Sequence, residues 1–339
     1  MKGNFTSILS AAACVACFSA PASADLTTEV IHTINSTNST LEMIDGDGET
    51  LAWRDTGDGR LYYWDGNTVQ AISPSGQGVW WPSLDNGQIA YKCYDSATMT
   101  YDSLCYWDGT YNNGQPNIVV VIPGPIGDVS INDGRIAWTA SDGNDNEVFY
   151  WDGTYNGSQP NITQLTNDSV SQTRVQISSG LIAWMVPSSG NLYDIYYWDG
   201  ATTHLLDTTN APVGVGNISV DGGAIAWSGP SNTTSYTAIY YWDGTFTSGS
   251  PNIETAVDEG YGFVRRPSLH QGNISYVKDG EDEAIFYWNG TSNTQLSEWY
   301  SIDGQFRPAN TSTGVFYIGR NAITDLHEVR YVTSTGLCL

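Results

Sequence analysis

The stretch "DVSINDGRIAWTASDGNDNEVFYWDGTYNGSQPNITQL", residues 128–165, contains four short runs in which β-branched and aromatic residues alternate with polar ones. Clusters of Gly, Asn and Asp separate the runs, for example at Asp133-Gly134 and across 142–146. Alternation with a period of two is typical of half-buried β-strands, and Gly, Asn and Asp clusters are typical of turns. The segment therefore predicts four short antiparallel strands and no helix.

The end of the third run, an aromatic residue followed by Trp and then Asp-Gly or Asn-Gly, occurs six times with spacings of 43, 44, 47, 44 and 46 residues. Its tryptophans are Trp64, Trp107, Trp151, Trp198, Trp242 and Trp288. A triplet of the type "IAW" precedes each copy, and a seventh, degenerate copy has "VFY" at Val315. Repeats of about 44 residues with four strands each are typical of a β-propeller, which predicts an all-β fold with seven four-stranded blades.

The two ends of the chain complement each other. The last repeat ends after its third strand, "HEVRYVTS", whereas the segment "LTTEVIHTI" precedes the first full repeat near Leu41. We expect the N-terminal strand to complete the last blade and close the ring, because closure removes an exposed sheet edge. Residues 25–339 are thus predicted to form a single propeller domain.

Residues 1–24 have the features of an export signal. Lys2 precedes an apolar, Ala-rich run, and Ala22-Ser23-Ala24 has the small-x-small pattern of a cleavage site. We expect an exported protein, periplasmic or extracellular, with no membrane insertion, since no other apolar stretch approaches the roughly 20 residues of a membrane helix. Cys93 and Cys105 flank a predicted hairpin tip at equal distances, and an oxidising compartment favours a disulfide between them.

The chain is strongly acidic, with 36 Asp and Glu against 12 Lys and Arg and a formal net charge of −24. This charge disfavours nucleic acid and anionic membranes as partners, and we expect a monomer. Acidic residues concentrate in hairpin loops, and Asp142, Asp145 and Glu147 in "SDGNDNE" imitate the start of a calcium loop without its turn Gly and distant Glu. Solvated hairpin tips and no cofactor are therefore predicted, with calcium at this loop as the alternative.

The repeated "WDG" segments have two interpretations. In the first they are scaffold: Trp packs on the neighbouring blade, Asp bonds to the backbone amides that follow it, and Gly takes the positive φ that the turn requires. In the second, the longer copies such as "YWDGTYNGSQPNI" form a lectin-like site of aromatic and amide groups. The sequence favours the scaffold interpretation, because the motif recurs in short turns as well.

The unit "SINDGRIAWTASDGNDNEVFYWDG…NITQLT" resembles the repeat of the TolB-like, WD-repeat-like propellers, which has an Asp-Gly turn, an "IAF"-type strand, a "G…IY" strand and a closing "LT". The resemblance covers all seven units, although Asn or Ser here often replaces the family's Pro before Asp-Gly. That family includes partner-binding periplasmic proteins, peptidase-associated propellers and some polysaccharide lyases. The resemblance therefore implies a fold and export, and no single activity.

The search for chemistry points to the mouth of the central channel. There is no G-x-S-x-G, no H-E-x-x-H and no Gly-rich phosphate loop, and the four histidines fall on different blades. Three tryptophans are not required by the repeat, and all of them lie in connections between blades: Trp80, Trp81 and Trp299. Counting ten residues back from each second-strand aromatic gives one equivalent position per blade, which we call the mouth ring: Met43, Trp81, Asp128, Arg174, Asn217, Arg266 and Arg307.

Three arginines share this ring position, and Arg265 is adjacent to one of them. The guanidinium fork suits carboxylate, sulfate or phosphate, and Trp offers an apolar face. We hypothesise an anion site formed by Trp80, Trp81, Asp128, Arg174, Asn217, Arg265, Arg266, Arg307 and Trp299. The alternative is that the arginines neutralise the acidic hairpins of the same face and that Trp81 only packs.

From these observations we predict an exported, non-enzymatic propeller that binds a protein or an anionic glycan at the mouth. One alternative is a polysaccharide lyase or glycoside hydrolase acting on an acidic glycan, and another is a structural envelope or matrix module. A His, Lys or Tyr close to the arginines would favour the lyase. Tyr261 and Tyr300 lie in suitable connections, whereas no His is expected there.

Overall fold

The computed structural model describes residues 26–33, 41–95, 99–188, 192–208, 217–279, 283–297, 307–321 and 323–334. In these residues every regular element is a β-strand, so none of them forms a helix that could span a bilayer. The strands form seven antiparallel sheets of four strands each. The prediction of a seven-bladed β-propeller is confirmed. The predicted export signal, Trp299 and Tyr300 lie outside the described residues, and so does Cys338, the cysteine left over after the predicted Cys93–Cys105 pair.

The blades follow one another along the chain, and each runs from an innermost to an outermost strand. Blade 1 contains β2 (Leu41–Asp47), β3 (Thr50–Asp55), β4 (Arg60–Trp64) and β5 (Val69–Ala71). Blade 2 contains β6 (Val79–Asp85), β7 (Gln88–Asp95), β8 (Thr100–Asn112) and β9 (Gln115–Ile122). Blade 3 contains β10 (Ile126–Asn132), β11 (Arg135–Ser141), β12 (Asn146–Asn156) and β13 (Gln159–Gln164). Blade 4 contains β14 (Thr173–Ser178), β15 (Leu181–Ser188), β16 (Leu192–Trp198) and β17 (Thr203–Asp207).

The same order continues in the rest of the ring. Blade 5 contains β18 (Ile218–Asp221), β19 (Ala224–Pro230), β20 (Thr237–Thr247) and β21 (Ser250–Val257). Blade 6 contains β22 (Phe263–His270), β23 (Asn273–Asp279), β24 (Glu283–Trp288) and β25 (Asn293–Gln295). Blade 7 contains β26 (Ala309–Asn310), β27 (Val315–Arg320) and β28 (His327–Ser334), and β1 (Leu26–Thr33) is its outermost strand.

Strand β1 pairs antiparallel with β28, in a register that runs from Leu26 opposite Ser334 to Thr33 opposite Glu328. The last blade is therefore built from both ends of the described chain, as the missing fourth strand of the last repeat predicts. The backbone hydrogen bonds of this pair hold the two ends of the ring together.

The core lies between neighbouring blades and follows from strand alternation. In β11, Ile136 and Trp138 are buried against blade 2, whereas Ala137 between them is buried against blade 4. Successive residues of a strand point to opposite faces of the sheet, so the "IAW" triplet places large side chains on one face and a small one on the other. The second strands are consequently buried on both faces.

The tryptophans of the WDG segments form a lattice around the ring. In five of the six motifs the tyrosine before the Trp contacts the Trp of the next blade, as Tyr106 does with Trp151 at a ring-centroid distance of 5.6 Å. The same contact joins Tyr63 to Trp107, Tyr150 to Trp198, Tyr197 to Trp242 and Tyr241 to Trp288. Trp64 closes the circle against Phe316 and Tyr331 of blade 7. Such contacts fit the scaffold interpretation of the motif.

The Asp and Gly of these segments shape the backbone that follows the Trp. Asp152 accepts hydrogen bonds from the backbone N–H and the hydroxyl of Thr154, and Gly153 has φ of +82°. A Cβ atom on Gly153 would lie 2.9 Å from the carbonyl oxygen of Gly134, so only glycine fits. In blades 2, 3 and 5 the third strand continues through the motif by way of a bulge, and the turn comes later. In these blades the segment is thus a strand bulge and the turn lies beyond it.

Candidate functional site: the mouth of the channel

The innermost strands carry a β-bulge at the mouth ring. The pairing of the first two strands shifts register next to Met43, Trp81, Asp128, Arg174 and Arg266. Four of these residues have left-handed backbone, with φ of +56°, +54°, +58° and +56° for Met43, Trp81, Arg174 and Arg266. Such a conformation costs a non-glycine residue about 1–3 kcal/mol, and bulges redirect side chains. The bulges turn these side chains toward the propeller axis.

All seven mouth-ring residues line one cavity of about 200 Å³ at the end of the channel. Its wall has two halves. Met43 and Trp81 of blades 1 and 2 form an apolar side, and Trp81 is 43% exposed. Arg174, Arg266 and Arg307 of blades 4, 6 and 7 supply positive charge on the other side. An indole face and three guanidinium groups thus share one opening.

Two of the arginines lie near a carboxylate without forming a close ion pair. Arg307 Nη2 lies 3.9 Å from Asp45 Oδ1, and its Nη1 donates to the carbonyl oxygen of Ile218 at 3.3 Å. Arg307 therefore reaches from blade 7 to blades 1 and 5. Arg174 Nη1 lies 3.9 Å from Asp128 Oδ1, and Asp128 Oδ2 accepts the backbone N–H of Arg174 at 2.7 Å. Neither contact is a bidentate ion pair, so both guanidinium groups keep donors for a ligand.

Arg266 is the most perturbed cation of the site. Burial, together with the charges of Arg265 and Arg174, lowers its pKa to about 10. The group stays protonated near neutral pH, and the carboxylates of Glu283 and Asp279 partly offset the lowering of its pKa. A bound anion would stabilise it, because an opposite charge favours the charged form. Burial also raises the pKa of Asp45. The positive charge of Arg307 lowers this pKa, but burial has the larger effect.

Two residues of the predicted site point elsewhere. Arg265 is directed to the blade 6 hairpin, where its Nε lies 2.8 Å from Asp279 and its Nη2 pairs with Glu283. For Arg265 the alternative of neutralising an acidic hairpin is therefore the one that the structure shows. Trp80 lies beneath the guanidinium of Arg54 at 5.2 Å and does not line the cavity. Of the two adjacent tryptophans of blade 2, only Trp81 therefore belongs to the cavity wall.

Below the mouth, the innermost strands are joined from blade to blade by side-chain acceptors. Two residues after the mouth ring, Ser219 Oγ accepts the backbone N–H of Leu269 of the next blade at 2.9 Å. The same bond is made by Asp45 to Leu84, Ser83 to Ile131, Ser130 to Ile177 and Ser268 to Asn310. A second row, two residues further, pairs Asp47 with Asn86, Asp85 with Asp133, Asn132 with Ser179, Ser178 with Gly222 and Asp221 with Gln271. These residues were not predicted from the sequence, although most of them are a Ser, Asp or Asn at a fixed offset of two or four from the mouth ring.

The histidines are dispersed, as the sequence predicts. His32 lies 4.0 Å from Asp55, His204 2.9 Å from Asp199 and His270 3.9 Å from Asp221, and His327 is buried beside Arg320. Among the described residues that line the mouth cavity there is no His, Lys or Tyr. Tyr261 contacts Tyr236 at 5.5 Å instead. The His, Lys or Tyr that would favour a lyase is therefore not present among the described residues that line the mouth.

A disulfide joins Cys93 of β7 to Cys105 of β8, with a Cα–Cα distance of 5.8 Å. Both residues are buried in the cluster between blades 1 and 2. The predicted disulfide is confirmed, although the two residues lie diagonally across the strand pair, with Cys93 opposite Ser103 and Cys105 opposite Tyr91.

No protein-family model matches the sequence, and neither does any curated protein. The β-propeller domain of the Trilobed protease from Pyrococcus furiosus matches with a TM-score of 0.62 and 13% identity, over 86% of this chain and 93% of that chain. The similarity establishes the fold. That propeller is described as having an open velcro topology, whereas β1 and β28 pair in the ring described above.

Full-length peptidases match over part of their length. Pyrococcus horikoshii acylaminoacyl peptidase matches with a TM-score of 0.63 and 11% identity, over 87% of this chain and 52% of that chain. A prolyl endopeptidase matches with a TM-score of 0.57 and 10% identity, over 83% and 45% of the two chains. This chain thus spans about half the length of these peptidases. TolB from Acinetobacter baumannii is also similar, with a TM-score of 0.46 and 15% identity over 89% of this chain and 65% of that one.

These comparisons correct the functional prediction. The sequence predicts a non-enzymatic propeller that binds a protein or an anionic glycan, whereas the similar structures are propellers of acylaminoacyl peptidases and prolyl endopeptidases. The prediction is wrong on this comparison. It failed because the repeat motif is structural and is shared by propellers with unrelated tasks.

Proposed function

We propose that this chain is a peptidase-type propeller whose channel mouth holds a peptide by a carboxylate group while a catalytic unit hydrolyses it. The observation that carries the proposal is the convergence of Arg174, Arg266 and Arg307 on one cavity in a protein of net charge −24. The likeness in fold to peptidase propellers supports peptide as the ligand class. The narrower grouping with the TolB-like propellers is proposed on the repeat motif alone.

The geometry favours a peptide end over an extended polyanion. The arginines come from three different blades and line one small cavity, so they surround a compact space and do not form a row along one strand. Trp81 and Met43 on the opposite wall provide an apolar surface for the neighbouring side chain. A C-terminal carboxylate, or a terminal Asp or Glu, presents one compact charge next to such a side chain. Each charge-assisted hydrogen bond of this kind contributes about 1.5–3 kcal/mol.

The test is a binding titration of the full chain with a fluorescein-labelled pentapeptide that ends in Leu-Glu with a free carboxylate. The comparison peptide has the same sequence except that Gln replaces the terminal Glu, and its C-terminus is amidated. We expect the free acid to bind at least about tenfold more tightly, since about 1.4 kcal/mol corresponds to a factor of ten. Equal affinity for the two peptides would refute recognition of a carboxylate.

A pair of triple variants locates the binding site. R174Q/R266Q/R307Q should abolish the preference for the free acid while the circular dichroism spectrum stays unchanged. The control R60Q/R135Q/R320Q removes the same charge from arginines outside the mouth and should keep the preference. Loss of the preference in both variants would assign it to net charge and overturn the mouth as the site. Mass spectrometry of the peptide after incubation with this chain alone should show no cleavage. Cleavage would contradict the proposal that the propeller holds the peptide while a catalytic unit hydrolyses it.

A further inference from the structure

The hairpin between β11 and β12 in blade 3 gathers three carboxylates. The closest carboxylate oxygens of Asp142, Asp145 and Glu147 all lie within 4.8 Å of one another. Asp142 is exposed, Asp145 is half-buried and Glu147 is fully buried. Like charges at this distance repel one another, and burial strengthens the repulsion because the local dielectric constant is lower than that of water. A cation between the three carboxylates would relieve this repulsion.

The protein itself supplies little compensation. Among the residues that the structure describes, both buried carboxylate oxygens of Asp145 lack a hydrogen-bond partner, and so does Oε2 of Glu147. Oε1 of Glu147 accepts the backbone N–H of Asp168 at 2.9 Å, and the side chain of Thr166 is a further hydrogen-bond partner of this carboxylate. Within the described residues, the ion pairs formed by Lys, Arg and His involve none of the three hairpin carboxylates.

Blade 6 shows how the same fold neutralises such a hairpin with a side chain. There, Asp279 and Glu283 flank the equivalent hairpin, and Arg265, the residue before the mouth ring, pairs with both. The residue before the mouth ring in blade 3 is Gly127. A Cβ atom on Gly127 would lie 2.2 Å from Oγ1 of Thr139, so no larger residue fits there without a shift. The positive charge that blade 6 takes from arginine is therefore not available to blade 3 from this position.

We propose that the blade 3 hairpin binds Ca²⁺, with Asp142, Asp145 and Glu147 as its protein ligands. The donors are all carboxylate oxygens, which suit a hard cation and disfavour Zn²⁺. Ca²⁺ takes about 6–8 oxygens in flexible geometry, and exposure at Asp142 leaves the outer side open to water ligands. The ion would replace the missing arginine and satisfy the buried oxygens of Asp145 and Glu147. This site is separate from the mouth ring, so its test is independent of the proposed function.

A bound ion would also hold the connection between blades 3 and 4. That connection already packs against the hairpin, because Gln172 donates its backbone N–H to the carbonyl oxygen of Asn146 at 2.7 Å. The side chain of Gln172 in turn donates to both carboxylate oxygens of Asp168. Ca²⁺ at the hairpin is therefore expected to raise the thermal stability of the ring.

The experiment is isothermal titration of the full chain with CaCl₂ after dialysis against EDTA, up to several millimolar, since extracellular calcium modules bind at about 10⁻⁴–10⁻³ M. We expect one ion per chain for the wild type and none for D145N/E147Q. The control E29Q/E254Q removes the same charge from two exposed glutamates of outer strands and should bind as the wild type does. No heat of binding in the wild type, or unchanged binding in D145N/E147Q, would overturn the site.

Two further readouts separate an ion ligand from a structural carboxylate. In EDTA, D145N/E147Q should melt at or above the temperature of the wild type, because uncompensated charge is removed, and calcium should raise only the melting temperature of the wild type. A variant that melts lower in EDTA and is still stabilised by calcium would contradict the proposal. MgCl₂ should bind at least about tenfold more weakly, because Mg²⁺ demands a near-ideal octahedron. Equal binding of both ions would overturn the assignment to calcium.

Discussion

The inter-blade hydrogen bonds make a sharp prediction about two buried serines in neighbouring blades. Ser219 of β18 accepts the backbone N–H of Leu269 at 2.9 Å, and both residues are only 5% exposed. Ser275 of β23 is fully buried, and its hydroxyl has no hydrogen-bond partner in the described part of the chain. Substitution by Ala removes the same oxygen atom in both cases. Burial alone would predict similar effects, whereas the hydrogen bonds predict opposite ones.

The magnitudes follow from the cost of an unsatisfied buried group. Ser219→Ala leaves a buried N–H without an acceptor and should cost about 1–3 kcal/mol of the free energy of unfolding. Ser275→Ala removes an already unsatisfied hydroxyl and should be neutral or stabilise by up to about 1 kcal/mol. With an unfolding entropy of about 2.1 cal/mol/K per residue over about 300 residues, a loss of about 2 kcal/mol lowers the melting temperature by about 3 °C.

The assay is differential scanning calorimetry of the two variants and the wild type in one buffer at fixed calcium, with urea unfolding as a second measure. We expect Ser219→Ala to melt about 2–5 °C lower than the wild type, by the entropy given above, and Ser275→Ala at the same temperature or higher. Equal losses for both variants would refute the reasoning, because burial alone would then account for the data.

Two other predictions concern the disulfide and the pH dependence. C93A/C105A should lose about 3 kcal/mol, the loop-closure entropy for a sequence separation of 12, measured by urea unfolding, and unchanged stability would contradict it. Burial raises the pKa of Asp45 and Asp85, so their ionised forms destabilise the fold and stability should rise as the pH falls from neutral toward the unfolded value of about 4. Hydrogen bonds from the threonine two residues later lower the pKa of Asp152, whose contribution should be lost as the pH falls below about 4. Melting temperatures measured in EDTA should therefore peak near pH 4–5, and a steady decrease from pH 7.5 to pH 5 would be inconsistent with these shifts.

The architecture and the mouth ring were predictable from the sequence because each repeat keeps the same register. Equivalent positions of successive blades converge on the axis, so counting back from Trp184 or Trp227 leads to residues that meet in space. Such counting needs only the period of the repeat and the alternation of a strand. The closure by the N-terminal strand followed in the same way from the missing strand of the last repeat.

Side-chain direction within the mouth was not predictable. The adjacent pairs Trp80–Trp81 and Arg265–Arg266 behave alike: the second residue has positive φ and lines the cavity, whereas the first points away. A bulge of one residue decides which member faces the axis, and no sequence motif marks the bulge in a strand of bulky residues. The burial of the Asp145 carboxylate was not predictable either, because acidic residues at hairpin tips are usually solvated.

The most direct test of the account is a crystal structure of the full chain grown with the acidic pentapeptide. Peptide binding at the channel mouth predicts electron density for the terminal carboxylate between Arg174, Arg266 and Arg307, with the preceding side chain against Trp81. Density for the peptide on the outer hairpins, together with a mouth that holds only solvent, would contradict it.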